Sequence, residues 1–226
     1  MPTLHYLFYQ CQNPTCGIRF PAQVGSLHIE CCPRCKAPLE HAASLAIEQE
    51  ADVHTNTPDG HIIEALLDNI RSAWNVGSMF RTADGAGIQC LYLCGITPTP
   101  VHPQVGRTAL GAESSIAWQY ESNAVNLAKY LISTGRRLWV LEDTPESVNL
   151  FDLTFDADSR SILLTVGNEV CGVDPGLVEI SERVISIPMA GQKRSYNVAV
   201  AFGIAVSYLR YCQSFSQGST KRLPST

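Results

Sequence analysis

The sequence predicts an α/β domain built on an open sheet, preceded by a small cysteine-rich unit. Three observations predict it. Short, wholly apolar runs such as Ser161–Val166 (SILLTV) have the length of strands and carry no polar face, as strands buried on both sides do. Such runs recur after helix-sized segments and end on loops rich in Gly, Pro and small polar residues, which is what a ligand site beyond the carboxyl ends of strands requires. Five of the nine cysteines fall within the first 35 residues.

Length and composition set the bounds. The chain has 226 residues, enough for one ordinary domain and something small, and 45% of them are hydrophobic, so a full core can be buried. No apolar run reaches the roughly eighteen residues of a membrane helix. The amino-terminal MPTLHYLFYQCQNP lacks a basic region followed by an apolar stretch, so it does not read as a signal peptide, and a cytoplasmic protein is expected. A reducing compartment turns crowded cysteines toward metal rather than disulfides. The net charge of −5 excludes a broadly basic surface, so any contact with a polyanion is local. His102 to Arg107, Arg136-Arg137, Lys193-Arg194 and Lys221-Arg222 are the candidate patches, and each pair equally suits an ordinary solvated surface.

Residues 1–40 are the cysteine-rich unit. Cys11 and Cys16 have four residues between them, and Cys31-Cys32-Pro33-Arg34-Cys35 follows. Structural zinc takes four thiolate or imidazole ligands in a tetrahedron, typically as two short-spaced pairs. Cys11, Cys16, Cys32 and Cys35 supply them, with Cys31 the spare thiol. A redox Cys-x-x-Cys is the competing reading of the second pair. About 40 residues bury too little apolar surface to fold alone, which gives a metal its task. Pattern and spacing resemble a zinc ribbon.

Residues 41–60 read as a linker, with His41–Asp52 (HAASLAIEQEAD) as a short helix and a turn-rich break after it. The main domain, 61–213, then reads as strands at Ile62–Leu67, Ile88–Cys94, Arg137–Leu141, Ser161–Val166 and Val184–Ile187. Asn75–Gly85 is a helix with Val76, Met79, Phe80 and Ala83 on one face, and Arg81, near two turns after Asn75, points to a broadly similar side. Ala124–Ser133 is amphipathic. Residues 197–211 (NVAVAFGIAVSYLRY) are apolar on nearly all sides, as in a helix buried in a core or a subunit interface, with Ser195 a candidate N-cap. Cys90 and Cys94 read as buried small apolar residues. The six histidines follow no metal or catalytic spacing, and residues 214–226 form a polar tail.

Three segments occur in order: Asn69–Asp84 (NIRSAWNVGSMFRTAD), Gly167–Val173 (GNEVCGV) and Ile187–Ala201 (IPMAGQKRSYNVAVA). Together they resemble the motifs of the SpoU/TrmH-type RNA methyltransferases of the SPOUT class, over roughly residues 60–212. The resemblance implies a mostly parallel sheet flanked by helices, with a carboxyl-terminal deep trefoil knot, a feature general topology rules would not predict. It implies a homodimer that transfers methyl from S-adenosylmethionine to a ribose 2′-hydroxyl of tRNA or rRNA. The knot loops would hold the cofactor: Thr165, Val166, Gly167, Asn168 and Glu169; Ile187, Met189 and Gly191; Ser195, Asn197 and Val198. Val166, Ile187 and Met189 would flank its adenine.

The ribose hydroxyl is nearly all protonated at neutral pH, so the site must position it and remove its proton. The family assigns that to the arginine matching Arg81, with help from an RNA phosphate; a guanidinium is not normally a base, so Arg81 could instead clamp the phosphate and polarise the hydroxyl. Glu169 and Asn197 read as orienting groups, and Asn75 and Ser195 match the remaining polar positions. Tyr196 departs from the family's usual aliphatic residue. In the amino-terminal unit, Tyr6, Phe8, Tyr9, Arg19, Phe20, Arg34 and Lys36 either contact RNA or form the ribbon's own core and surface. A non-catalytic RNA-binding protein that keeps the knot is the alternative. A nucleotide-binding or redox enzyme is disfavoured, because no G-x-G-x-x-G follows a strand and no Walker motif occurs.

Overall fold

The computed structural model describes residues 3–25, 29–47, 62–153 and 161–211. Of the expected segments, linker residues 48–60 and the tail 214–226, with Lys221-Arg222, lie outside them. The chain divides into two compact units, Met1–Asn56 and Thr57–Thr226.

The first unit is a three-stranded antiparallel sheet of β1 (Leu4–Cys11), β2 (Arg19–Gln23) and β3 (Leu39–Ile47), in the order β2-β1-β3. Among its described residues only Cys11 and Cys32 are buried. It therefore has almost no hydrophobic core, and its aromatic side chains are half-buried, with the Tyr9 and Phe20 rings 6.2 Å apart. The expected helix from His41 is a strand instead. Residues 39–47 pair along β1 from Cys11↔Leu39 to Leu4↔Ile47, so ladder hydrogen bonds override the helical preference of an Ala- and Leu-rich segment. The small unit thus continues past residue 40.

The second unit is a seven-stranded, all-parallel sheet. Its strands are β4 (Ile63–Asp68), β5 (Cys90–Cys94), β6 (Ala117–Glu121), β7 (Arg137–Leu141), β8 (Val148–Asn149), β9 (Ile162–Val166) and β10 (Arg183–Ser186), in the order β6-β5-β4-β9-β7-β10-β8. Its helices are α1 (Ala73–Gly85), α2 (Pro103–Ala109), α3 (Ala112–Ser115), α4 (Ala124–Ser133), α5 (Pro175–Glu179) and α6 (Val198–Tyr211). Alternate strand residues face opposite layers. Ala65, Leu67, Leu93 and Leu164 pack with α1, α2, α3 and α6 through Phe80, Val105, Ala112 and Phe202. Leu66, Tyr92, Leu138 and Leu163 pack with α4 and α5 through Leu131 and Leu177. Cys90 and Cys94 belong to that second layer, as expected of buried thiols.

Buried charges on the strands are satisfied. Glu64 accepts hydrogen bonds from the Tyr92 hydroxyl and from Arg136 Nε, and Arg137 bonds bidentately to Glu182. Arg136-Arg137 is therefore not a free basic patch. The helix α6 buries Phe202, Ala205, Val206 and Leu209 but leaves Val200 and Tyr211 exposed, so within one chain it is not buried all round.

Candidate functional site

A cleft of about 400 Å³ opens at the carboxyl ends of β7, β9 and β10, where β9 is inserted between β4 and β7 and the strand order reverses. Leu141, Val166, Ile187, Val198 and Ala201 give it apolar walls, and Asn168, Glu169, Ser195 and Asn197 supply polar groups.

Three loops build its polar side. After β4 the chain turns through Asn69, which is left-handed at φ 55°, with its amide oxygen taking the Ile96 N–H at 3.2 Å and its amide nitrogen donating to Asp68 at 2.7 Å. Asn and Asp tolerate that conformation because their side chains bond locally. Asp68 also accepts the Asp174 N–H at 2.9 Å, and burial pushes its carboxyl up from the usual value. Ser72 caps α1 by accepting the Asn75 N–H, so the helix starts at Ala73, two residues before the expected position.

The second loop follows β9. A Cβ on Gly167 would overlap the Val173 nitrogen and the Gly172 carbonyl, so only glycine fits where the loop doubles back. Asn168 fixes that turn: its backbone pairs with Gly172, its amide oxygen accepts the Val170 N–H at 2.9 Å, and its amide nitrogen donates to the Asn69 carbonyl at 2.7 Å. Glu169 then reaches the start of α1. Its carboxylate accepts the Arg71 N–H at 2.8 Å, the Ser72 N–H at 3.0 Å and the Asn75 amide at 2.8 Å. This is an anion at a helix N-terminus. Partial burial raises its pKa, but the Arg71, Asn75 and Ser72 donors outweigh that and hold it below the usual carboxylate value.

The third loop precedes α6. Asn197 donates to the Asn75 amide oxygen at 3.2 Å, and its own oxygen accepts the Ala199 N–H at 2.9 Å. Asn197 therefore caps α6, not Ser195, which lies too far ahead of Val198 and stands exposed at the cleft.

Of the residues singled out in the sequence, Val166, Gly167, Asn168, Glu169, Ile187, Ser195, Asn197 and Val198 line the cleft, and Asn75 joins them through Glu169 and Asn197. Met189 and Gly191 do not line it, and Thr165 lies wholly buried beneath it with its hydroxyl unpartnered among the described residues. Arg81 is exposed on α1 and outside the cleft. Six residues along a helix leave it about 120° around from Asn75, so the expected shared side does not hold. Sequence reasoning missed Glu142 and Asp143, which enter from the end of β7, and Glu142 also accepts the Val173 N–H at 3.0 Å. The signal was available, since both follow directly on a strand.

In the small unit, the sulfurs of Cys11, Cys16, Cys32 and Cys35 all lie within 4.8 Å of one another, with Cys11 to Cys35 at 3.4 Å and Cys16 to Cys32 at 3.8 Å. A tetrahedron of sulfurs at the usual zinc distance has edges of about 3.8 Å, so the four thiols fit a structural zinc ion. Each pair is turned by a tight loop: Gly17 N–H bonds the Asn13 carbonyl, Lys36 N–H bonds that of Cys32, and Gly17 and Lys36 are both left-handed. Burial pushes the Cys11 thiol up to about 12. At Cys32 burial is outweighed by the Cys35 and Arg34 N–H groups and neighbouring thiols, which bring it down to about 6.

A model described as the SpoU rRNA Methylase family matches residues 63–207, more than half of the chain. The chain belongs to the SpoU rRNA methylase family. A tRNA (guanosine(18)-2'-O)-methyltransferase of Aquifex aeolicus (strain VF5) is 31% identical over 142 residues, covering 62% of this chain and 64% of that protein. A 23S rRNA (guanosine(2553)-2'-O)-methyltransferase of Bacillus subtilis (strain 168) is 32% identical over 153 residues, covering 64% of this chain and 56% of that protein. The chain thus spans less than two thirds of the length of either relative. Among solved structures, an AdoMet-bound rRNA methyltransferase from Sinorhizobium meliloti superposes with a TM-score of 0.62 at 25% identity, covering 74% of this chain and 62% of that one. The A. aeolicus TrmH/SpoU tRNA modifying enzyme superposes at 0.60 with 27% identity, covering 68% and 76%. The matched SpoU segment contains the cleft and all three loops that build it up to Ala201, and excludes the cysteine-rich unit.

Proposed function

We propose that this chain transfers a methyl group from S-adenosylmethionine to a ribose 2′-hydroxyl of tRNA or rRNA. One observation carries the reading: the three family motifs, far apart in sequence, meet in a single hydrogen-bonded chain, Glu169–Asn75–Asn197, at the cleft. The volume and mixed lining suit a small ligand with one apolar ring and several polar groups. Val166 and Ile187 would hold the adenine of the cofactor, and the backbone around Gly167 and Asn168 its polar edge. When bound, S-adenosylmethionine supplies an electrophilic methyl whose leaving group is a neutral thioether, so no acid is required.

The protein's own residues prepare the nucleophile. Glu169 is ionised and both its oxygens are engaged, so it orients Asn75 and the start of α1 and does not shuttle protons. Asn75 and Asn197 lock each other, leaving one N–H of Asn197 for the acceptor ribose. Ser195 stands exposed beside them to touch substrate. Arg81 fixes an RNA phosphate next to the hydroxyl and lowers the cost of its deprotonation. Its position outside the cleft of one chain, and the exposed Val200 and Tyr211 on α6, support a homodimer that completes the site. We read the run from β9 to α6 as the family's trefoil knot, the chain as cytoplasmic, and the zinc unit as an added RNA contact. No helix among the described residues is long and apolar enough to cross a membrane.

Calorimetric titration with S-adenosylmethionine, followed by label transfer to unfractionated tRNA and rRNA, tests the reading. Micromolar binding at one site per chain, about −8 kcal/mol, with base-stable label on ribose is expected. Cofactor binding without transfer to either RNA would leave a binding protein only. Deleting residues 1–47 should weaken RNA affinity at fixed salt; unchanged affinity removes the RNA role of the small unit.

A further inference from the structure

Three large apolar side chains stand exposed around the polar centre, each one residue along the chain from a member of it. Trp74 precedes Asn75 and is 51% exposed, Val170 follows Glu169 at 76%, and Tyr196 precedes Asn197 at 42%. Trp139, Phe80 and Phe202 of the same unit are fully buried while Tyr120, Tyr130, Phe151 and Tyr211 are exposed, so a place beside the polar centre, and not exposure alone, sets Trp74 and Tyr196 apart. Large apolar groups kept in water at one place mark a contact surface. Their neighbours indicate what it contacts. Arg71, Lys193 and Arg194 are exposed on the same loops, and none forms an ion pair among the described residues. The Tyr196 hydroxyl likewise has no partner there, although the side chain lines the cleft. Aromatic faces beside unpaired cations are what a single-stranded nucleotide needs, with its base on a ring and its phosphates on the cations.

We propose that Trp74 and Tyr196 seat the base of the RNA nucleotide whose ribose is presented to Asn75, Glu169 and Asn197. The proposal rests on the methyl-transfer reading above. Enzymes that do chemistry on a base take its nucleotide out of the stack and hold the base against aromatic or apolar surfaces, and a 2′-hydroxyl within a folded RNA poses the same problem of access. A base on these rings places its own sugar next to the polar centre, since each ring is one residue from a centre residue, and turns the flanking phosphates toward Arg71 and Arg194. Arg71, Lys193 and Arg194, without ion-pair partners among the described residues, favour a polyanion over a second protein surface, with Glu142 and Asp143 confined to the β7 side of the cleft.

The test uses the full-length, zinc-replete protein and two probes at one salt concentration: a riboadenosine decamer, and a decamer of the same length built of abasic riboses. The unaltered protein should prefer the riboadenosine decamer by about tenfold or more, the contribution of a stacked base. The W74A/Y196A double variant should lose that preference and W74F/Y196F should keep it, with S-adenosylmethionine affinity and sedimentation unchanged in both. A preference absent from the unaltered protein, or surviving in the alanine variant, overturns the proposal. So does weakened cofactor binding in Y196A, which assigns that ring to adenine, or an altered oligomeric state in W74A, which assigns the indole to a subunit interface. Failure of the methyl-transfer reading is seen separately, as absence of label transfer by the unaltered protein.

Discussion

Replacing Glu169 by glutamine tests the link between the site's geometry and its electrostatics. Three donors converge on the carboxylate at 2.8–3.0 Å, two of them backbone N–H groups at the entrance to α1. Glutamine keeps the shape but has one acceptor oxygen, so one backbone N–H faces an NH₂ group and loses its bond. Hydrogen bonds to a charged group are worth about 1.5–3 kcal/mol when buried; Glu169 is exposed and water replaces part of each, so about 1–2 kcal/mol is expected for E169Q. In a unit of this size that lowers the melting temperature by about 2–8 °C. The sign with pH follows from the depressed carboxylate. Its stabilisation is complete above the unfolded value of about 4.3 and is lost as pH falls through the lower folded value. Thermal melts of the two proteins should therefore differ fully at neutral pH and converge below about pH 4. Turnover should fall by about 10²-fold, because Asn75 is no longer held. Superimposable melts at neutral pH with full turnover would refute the reasoning, and a gap that persists unchanged in acid would place its origin outside the carboxylate.

Chelation should remove one zinc per chain, expose four additional reactive thiols and abolish the fold of the small unit, which buries little else; a protein that keeps its thiols protected after metal loss would contradict this. The variant G167A should lose about 1–3 kcal/mol of stability and bind S-adenosylmethionine more weakly, since the clash is with backbone that cannot rotate away; a calorimetric titration matching the parent would show that the loop relaxes freely. R81A should bind S-adenosylmethionine within about twofold of the parent yet transfer methyl about 10²–10³-fold more slowly, and loss of cofactor binding instead would mean that Arg81 is misassigned.

How far the sequence reached depends on what each element needs. Five strands of the parallel sheet were legible because burial on both faces writes a continuous apolar run, and the observed ends fall within two residues of the expected ones. The edge strand β6 was not, because Ala117–Glu121 is mostly exposed and has no apolar signature to read. The strand β3 was missed for another reason. Its Ala- and Leu-rich sequence favours a helix locally, and only pairing with β1, from Cys11 opposite Leu39 to Leu4 opposite Ile47, decides otherwise. The four zinc ligands needed no such partner: thiol spacing alone selects them.

The site shows the same division. Glu169, Asn75 and Asn197 were identifiable as residues, yet their bonds span 94 and 122 positions and no local pattern foretells which atom meets which. That wiring decides roles. A carboxylate with both oxygens filled by Arg71, Ser72 and Asn75 at the entrance to α1 is an orienting group, whatever its residue type suggests. An asparagine bonded on both sides is a rigid ruler between two loops. The polar centre of a single chain is thus largely occupied with its own geometry: Glu169, Asn75 and Asn197 hold one another, and one N–H of Asn197 and the exposed Ser195 are left to meet substrate. Arg81, the residue proposed above to assist deprotonation, is exposed and does not line the cleft that holds the rest. On the proposed function, RNA, a second copy, or both bring phosphate and guanidinium to the ribose. On this reading chemistry waits on assembly, and methyl transfer should rise with protein concentration more steeply than S-adenosylmethionine binding does.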